Sequence, residues 1–233
     1  MILSLITSGL SISEILISVV AVAVSATLAI VGHEVAHGYV ALWCGDDTAK
    51  QAGRLSFNPL VHFDWIGLIL LAFVGFGWAK PVPINPANFK NKKAGIILVS
   101  LAGITANLIM AGIGLLLIFL LYPHLLVLAA SASRVRLLGV LFYNMLAYFI
   151  IFNVMLAFFN VLPIYPLDGF NFVNSFLPRG NGFSTFMFKY GWTVLLALIV
   201  VSNVLNYIGL REYNVFYQVQ QLALRLIALV TGG

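Results

Sequence analysis

Four long apolar stretches constrain this chain more than any other feature of its sequence. A helix needs about 20 apolar residues to cross a hydrocarbon layer of about 30 Å, and each stretch reaches or nearly reaches that length. With 62% hydrophobic and only 8% charged residues, the chain has too little polar surface to cover a water-soluble globule. The sequence therefore predicts a helical protein that spans a membrane several times. The predicted spans are residues 12–43, 94–122, 137–162 and 190–208.

Two shorter apolar stretches are harder to assign. Residues 215–230 include three glutamines and Arg225, so this stretch could lie in the membrane interface or cross as a weak span. Residues 66–78 are too few to cross and contain three glycines, which suits a re-entrant segment buried in protein.

The sequence around residues 66–78 is interrupted by prolines. The partly alternating stretch 53–64 contains Pro59, and the proline-rich stretch 80–86 cannot be helical. We therefore predict loops, short strands and the re-entrant segment within residues 44–93. The predicted fold is an all-α polytopic membrane protein of about five to six segments, with a small membrane-embedded strand or re-entrant region. It forms one domain over residues 1–233.

The basic residues are distributed unevenly between the predicted loops. If residues 66–78 enter and leave on one face, eight Lys and Arg lie on that side and three on the other. The richer side is expected in the cytoplasm, which puts the N-terminus outside. Residues 1–10 carry no basic group, so they are expected to belong to a retained helix rather than a cleaved signal. The richer side holds Lys50, Arg54, Lys80, Lys90, Lys92, Lys93, Arg179 and Lys189; the poorer side holds Arg134, Arg136 and Arg211.

Charge and cysteine content exclude several classes of protein. The net charge is +5, but the basic residues are scattered between apolar stretches, as membrane topology would place them, so we expect no nucleic-acid partner. The single cysteine, Cys44, can form neither an intrachain disulfide nor a cysteine-cluster metal site.

A compact group of ionisable residues lies near the end of the first apolar stretch, in the sequence His33-Glu-Val-Ala-His37. On a helix, positions i and i+4 share a face, so both imidazoles can bind one metal ion while Glu34 can reach a bound water. A hydrogen bond to a neighbouring helix could explain one such histidine. Three ionisable groups within five residues, each costing about 2.5–3.5 kcal/mol in a bilayer, favour metal coordination.

A catalytic zinc takes three protein ligands, so a third ligand is needed. The candidates are His62, Asp64, His124 and Asp168. The predicted topology puts His124 a membrane thickness away, as an interfacial residue, and His62 in a loop, where a structural role is expected. Asp168 lies on the correct side, next to prolines that interrupt the helix, which favours it as the ligand. The alternative is an N-cap for a segment that begins near Phe170.

At these residues the chain resembles the site-2 protease family of intramembrane zinc metalloproteases, in particular its short prokaryotic members without a PDZ or CBS domain. The pairing of H-E-x-x-H with N-x-x-P-x-x-P-L-D-G carries the resemblance, and the matching stretches span most of the chain from about residue 25 to 178. Ile104 stands where the family commonly has proline. The matching stretches are 33–39, 53–59, 75–83, 102–107 and 160–169.

The resemblance implies a role for each residue of the site. His33, His37 and Asp168 would bind one Zn²⁺ per chain, and Glu34 would be the general base. Asn107 would contact the substrate or the developing oxyanion, the alternative being an interhelical hydrogen bond near Ser100 and Thr105. Residues 53–59 would belong to a membrane-embedded strand structure that receives the substrate as an added strand.

The activity implied is a metalloendopeptidase that cuts transmembrane segments of membrane-anchored proteins in regulated intramembrane proteolysis. It would be a multi-pass protein of the cell membrane, with its active site towards the cytoplasm and a transmembrane protein or peptide as substrate. A metal or proton transporter and an inactive binding protein are the alternatives. A transporter commonly shows inverted repeats, and a binding-only member would lack Glu34 or a ligand.

Overall fold

Helices joined by loops make up the residues described in this computed structural model, which are 11–64, 67, 80–131 and 133–232. Residues 1–10, and all but Gly67 of the predicted re-entrant stretch 66–78, lie outside the described part. There are three short 3₁₀ helices among these residues: Pro59–Val61, Pro86–Asn88 and Arg211–Tyr213. The α-helices are α1 Ile12–Trp43, α2 Thr48–Gln51, α3 Lys92–Ala130, α4 Ser133–Val161, α5 Asp168–Asn174, α6 Gly182–Tyr207 and α7 Val215–Thr231.

Four helices, α1, α3, α4 and α6, are long and apolar enough to cross a membrane, with mean hydropathies of 2.6, 2.5, 1.9 and 1.6 in their most apolar windows. The prediction of a helical fold is thereby confirmed, and the four apolar helices agree with a polytopic membrane protein. Helix α3 continues past its predicted end through Pro123. Helix α6 begins eight residues before its predicted start, at the point where the Asn181 side chain accepts a hydrogen bond from the Ser184 amide (2.9 Å).

Helices α1, α3 and α4 pack against one another and form the centre of the molecule. Small residues on α1 allow the close approach, since Ala21 and Ala29 are completely buried. Ser25 is also completely buried and donates a hydrogen bond to the Met145 carbonyl of α4 (2.8 Å). The predicted metal motif lies in the second half of α1. We call the end of the bundle at which α1 ends the site end.

Helix α7 packs antiparallel to α4. Its first turn places Phe216 against Phe158 and Phe159 at the C-terminal end of α4, with ring centroids 6.2 and 5.7 Å apart. Further along α7, Ile227 joins a buried cluster that includes Ile150. Helix α7 therefore begins at the site end and packs along the bundle, with Ala223 completely buried.

This packing corrects the predicted side of Arg211. Helix α4 runs towards the site end, and its start lies at the other end, where Arg136 pairs with Glu14 of α1 (3.4 Å). Arg211 lies just before α7, and therefore at the site end. Its expected placement beside Arg134 and Arg136 is wrong. Asn214 bonds Asn206 near the end of α6 (3.0 Å) and Phe216 packs against the end of α4, so α6 itself ends at the site end.

Residues 53–59 form no strand in the structure, which contradicts the prediction for this stretch. Gly53 follows α2 with a φ of +65°, a left-handed conformation that ends the helix. Asn58 then caps the 3₁₀ helix that starts at Pro59, accepting a hydrogen bond from the Leu60 amide (3.1 Å). Turn-forming residues therefore determine the backbone conformation of residues 53–59, although the apolar residues of this stretch partly alternate.

A buried carboxylate joins the turn after α1 to the segment before α3. Asp46 is completely buried and accepts hydrogen bonds from the backbone amide and hydroxyl of Thr48, the Asn85 amide (2.7 Å) and the Asn88 side chain (2.8 Å). Burial raises the pKa of Asp46, but these hydrogen bonds lower it more, so its pKa lies below the usual value. Asp46 therefore contributes to stability as an ionised group.

Replacing Asp46 should destabilise this connection and change its response to acid. Asp46→Ala leaves buried donors unpaired, which costs about 1–3 kcal/mol per group, so we expect a lower melting temperature in detergent. A carboxylate with a lowered folded pKa stabilises the protein above its unfolded pKa of about 3.9 and loses that contribution as the pH falls through the folded value. The difference in melting temperature between wild type and Asp46→Ala should thus shrink below about pH 4. Asp47→Ala, at the exposed neighbouring position, is the control and should melt like wild type.

Candidate metal centre

His33 and His37 lie one turn apart on α1 and point their imidazoles to the same place. Both are buried, each 7% exposed, and their Nε2 atoms are 3.0 Å apart. The i, i+4 spacing therefore brings two nitrogen ligands together, as the sequence predicts.

Asp168 completes the cluster from the first residue of α5. Its Oδ2 lies 3.3 Å from His33 Nε2 and 3.2 Å from His37 Nε2. Helix α4 ends at Val161, before Pro163, and the chain re-enters a helix at Asp168 with Leu167 as the N-cap. Asp168 is therefore not the N-cap, the alternative that the sequence left open.

Gly169 allows this re-entry to lie against the end of α4. A β-carbon at position 169 would be 2.1 Å from the Val161 carbonyl oxygen, which is backbone and has little room to move. A glycine next to Asp168 therefore keeps the carboxylate within reach of α1.

The other ring nitrogen of each histidine is hydrogen-bonded. His37 Nδ1 lies 2.8 Å from the Val99 carbonyl, which can only accept, so Nδ1 carries the proton and Nε2 presents its lone pair. His33 Nδ1 lies 2.7 Å from Asn107 Oδ1, which is also an acceptor. The proton of His33 is therefore on Nδ1, and its Nε2 presents a lone pair as well. Such contacts fix the tautomer and ring orientation of metal-binding histidines.

The three ligand atoms suit a zinc ion. Two atoms each about 2.05 Å from zinc at a tetrahedral angle are about 3.3 Å apart, and the observed separations are 3.0, 3.2 and 3.3 Å. Asp168 Oδ2 is buried and has no hydrogen-bond partner among the described residues. Two nitrogen lone pairs and a carboxylate oxygen this close repel one another unless a cation lies between them. Two imidazole nitrogens and one carboxylate oxygen are a donor set that fits Zn²⁺.

Glu34 faces a different neighbour from the two histidines. Its Oε2 accepts a hydrogen bond from the Val82 amide (2.9 Å), in the segment between Lys80 and Asn85. Because Pro81 and Pro83 have no N–H, Val82 supplies the one donor of these three consecutive residues. The carboxylate is partly exposed, as a group that exchanges protons with water must be.

Gly103 of α3 creates the space for the imidazoles. A β-carbon there would lie 2.3 Å from His33 Cε1 and 2.5 Å from His37 Nε2. Both distances are too short for any real contact, so α3 can pack against the site only because residue 103 is glycine. Sequence reasoning missed this role, because the glycine faces the histidines from another helix.

The remaining predicted residues take different positions. His62 is completely buried and its Nε2 contacts the Ser56 carbonyl (2.7 Å), a structural contact as expected for a loop histidine. His124 is exposed on the outer part of α3, far along the helix from Gly103. Asn107 is completely buried and forms interhelical hydrogen bonds to His33 and the Ala29 carbonyl of α1 and to Asn153 of α4, which confirms the alternative of an interhelical hydrogen bond. A substrate contact from Asn107 stays a prediction.

A groove of about 690 Å³ opens beside the metal cluster, between the start of α3 and the segment that follows Asp168. Its lining includes Val99, whose carbonyl accepts a hydrogen bond from His37, and Ser100. Lys92, Lys93 and Arg179 also line it, and no described carboxylate does. The groove is polar enough to hold water near the site.

Comparison with known proteins points to the same chemistry. The chain is 41% identical over 170 residues to "Putative zinc metalloprotease YwhC" of Bacillus subtilis (strain 168), an alignment that covers 72% of this chain and 74% of YwhC. No protein-family model matches the chain. No solved structure matches it either.

Adding a methyl group at Gly103 should weaken metal binding. Gly103→Ala places the β-carbon against both imidazoles, and overpacking of this kind costs about 1–3 kcal/mol, or about 5- to 150-fold in zinc affinity if it falls on the site. The measurement is zinc affinity of the purified protein by competition with a chelator. Gly112→Ala, on the same helix with nothing within 4 Å of the new β-carbon, is the matched control and should bind zinc like wild type. Equal affinities for the two variants would contradict the role assigned to Gly103.

Proposed function

The chain belongs to the zinc metalloprotease family of YwhC, and we propose that it is an intramembrane endopeptidase of the site-2 protease type. It hydrolyses peptide bonds within or near transmembrane segments of membrane-anchored proteins. The observation that carries the proposal is the position of the cluster: two of its three ligand atoms belong to α1, a helix of 32 residues that is apolar enough to cross a membrane.

Three residues of the cluster would hold the ion. His33, His37 and Asp168 would bind one Zn²⁺ and leave a position for water or the substrate carbonyl. When bound, zinc polarises a carbonyl and makes a water molecule more acidic. Cobalt and iron suit similar ligands, but two imidazoles and one carboxylate are typical of catalytic zinc.

Glu34 is the general base of the proposed reaction. It takes a proton from the attacking water and delivers it to the nitrogen of the leaving peptide. The Val82 amide bonds one carboxylate oxygen, Oε2, and so orients the group while the other oxygen can receive the proton. Proton transfer of this kind contributes about 10²- to 10⁴-fold to a rate.

Water has to reach a site that lies among apolar helices. The groove lined by Lys92, Lys93 and Arg179 supports a route from the site end, because the carbonyl of Val99, one of its lining residues, accepts a hydrogen bond from the metal ligand His37. Irregular backbone at membrane depth is tolerated where it lines such a cavity. The segment before α3 and the α5 region, both interrupted by proline, form its walls.

We place the site end in the cytoplasm of a multi-pass cell-membrane protein. With Arg211 moved to the site end, only Arg134 and Arg136 of the loop residues compared above remain at the other end, which strengthens the charge asymmetry.

The substrate class follows from the chemistry of the cut. A peptide bond in a helix is hydrogen-bonded and shielded, so the substrate must unwind near the site. We expect a single transmembrane segment with helix-breaking residues, already trimmed outside by another protease. The product would be a released membrane-held regulator, such as an anti-sigma factor, or a fragment of a signal-peptide remnant.

Replacing the base should separate catalysis from metal binding. Glu34→Gln keeps an oxygen that can accept from the Val82 amide, so the variant should fold and bind zinc, but cleavage should fall by about 10²- to 10⁴-fold. The assay is cleavage of a tagged single-span substrate in detergent. Glu212→Gln, an exposed glutamate, is the control and should cut like wild type. Cleavage by Glu34→Gln at the wild-type rate would rule out this base.

Removing a ligand should remove the metal. Asp168→Ala and His37→Ala each leave two ligands, so we expect them to lose the roughly one zinc per chain that wild type retains. Elemental analysis of protein purified without added metal measures this. His124→Ala, an exposed histidine on α3, is the control and should keep its zinc. Full zinc in Asp168→Ala would show that the third ligand is another residue.

A further inference from the structure

We propose that Asn153 is a positioning residue which acts through Asn107 to set the proton position on His33. This inference rests on the metal site of the proposed function and adds a residue of α4 to it. The effect is to keep the proton on His33 Nδ1, so that the Nε2 lone pair is always presented to the metal.

Asn153 and Asn107 form a buried polar link between three helices. Both side chains are completely buried, and Asn107 Nδ2 lies 2.7 Å from Asn153 Oδ1. Asn107 Nδ2 also lies 3.3 Å from the Ala29 carbonyl of α1, and its Oδ1 contacts His33 Nδ1 at 2.7 Å. The link therefore runs from α4 through α3 to the metal ligand on α1.

Two backbone carbonyls force the direction of every hydrogen bond in this link. Asn153 Nδ2 lies 2.8 Å from the Phe149 carbonyl, which can only accept, so Asn153 must turn its oxygen to Asn107. Asn107 must then turn its nitrogen to Asn153, a direction that the Ala29 carbonyl also requires. The Asn107 oxygen is left facing His33, and only a protonated Nδ1 can donate to it.

Without Asn153, the direction of the link is less constrained. Asn107 would lose the closer of its two acceptors, and a rotated amide would present a donor to His33. His33 would then favour the proton on Nε2, the atom that has to bind the metal. His37 needs no such link, because the Val99 carbonyl contacts it directly.

The experiment compares two substitutions of Asn153 that differ in polarity. Asn153→Leu has a similar volume but accepts nothing from Asn107, whereas Asn153→Asp keeps an oxygen that accepts from the Asn107 amide. Contacts that orient metal ligands are typically worth 10- to 100-fold in affinity, so Asn153→Leu should bind zinc about 10- to 100-fold more weakly. Asn153→Asp should stay within about 3-fold of wild type. Zinc affinity is measured by chelator competition.

The control removes the same local hydrogen bond elsewhere. Asn203 Nδ2 bonds the Ile199 carbonyl one turn back (2.9 Å), as Asn153 bonds Phe149, but it is exposed on α6. Asn203→Leu should leave the zinc affinity unchanged. If Asn153→Leu binds zinc as tightly as Asn203→Leu, the proposed role of Asn153 is wrong.

A second measurement reports the tautomer without zinc or activity. The measurement uses metal-free Asp168→Ala, which lacks the carboxylate that would draw a proton to the histidine Nε2 atoms. In this variant the imidazole ¹⁵N shifts, with His33 assigned by its absence in His33→Ala, should show the His33 proton on Nδ1, and adding Asn153→Leu should move part of the population to Nε2. A His33 proton on Nε2 in Asp168→Ala would overturn the inference, even if the Asn153→Leu variant fails to fold. Wild type that binds no zinc would refute the proposed function instead, and the ¹⁵N result would still decide the link.

Discussion

The close approach of three electron-pair donors inside an apolar helix bundle is the constraint on which the rest of this structure depends. His33, His37 and Asp168 bring their ligand atoms within 3.3 Å of one another, where only a cation makes the arrangement favourable. Each of these groups is costly in a membrane when alone. The surrounding residues therefore have to hold the two helices that carry the ligands, α1 and α5, in register, and the structure does this with backbone carbonyls, buried amides and two glycines.

The glycines and amides act at different levels. Gly103 and Gly169 permit the approach of backbone and side chain, since a β-carbon at either position would overlap a neighbour. Asn107 and the Val99 carbonyl then select one orientation of each imidazole. A site assembled from four helices is thereby fixed in position by packing and in polarity by hydrogen bonds, and neither alone would define it.

The sequence predicts what depends on local periodicity and fails where distant contacts decide. His33 and His37 share a face because of helical spacing alone, and prolines around Asp168 indicate where the helix is interrupted. The roles of Gly103 and Asn153 depend on which helices face each other, which a single sequence does not encode locally. The side of Arg211 was mispredicted for the same reason: hydropathy shows that α6 could cross, whereas its position depends on the packing of α7 against α4. The strand expected at 53–59 was lost to turn-forming residues such as Gly53 and Asn58.

The arrangement around α1 separates metal binding from proton transfer. The two histidines face α3, where Gly103, Asn107 and Val99 surround them, whereas Glu34, one residue and about 100° further round the helix, faces Val82 in the segment before α3. Structure on the α3 side therefore governs whether the ion is held. The Val82 side governs how the base is oriented and what can approach it. Because Pro81 and Pro83 cannot donate, the Val82 amide is committed to Glu34, and a bound peptide would find only carbonyl acceptors on those three residues. The two tasks of the site can thus vary independently on one helix.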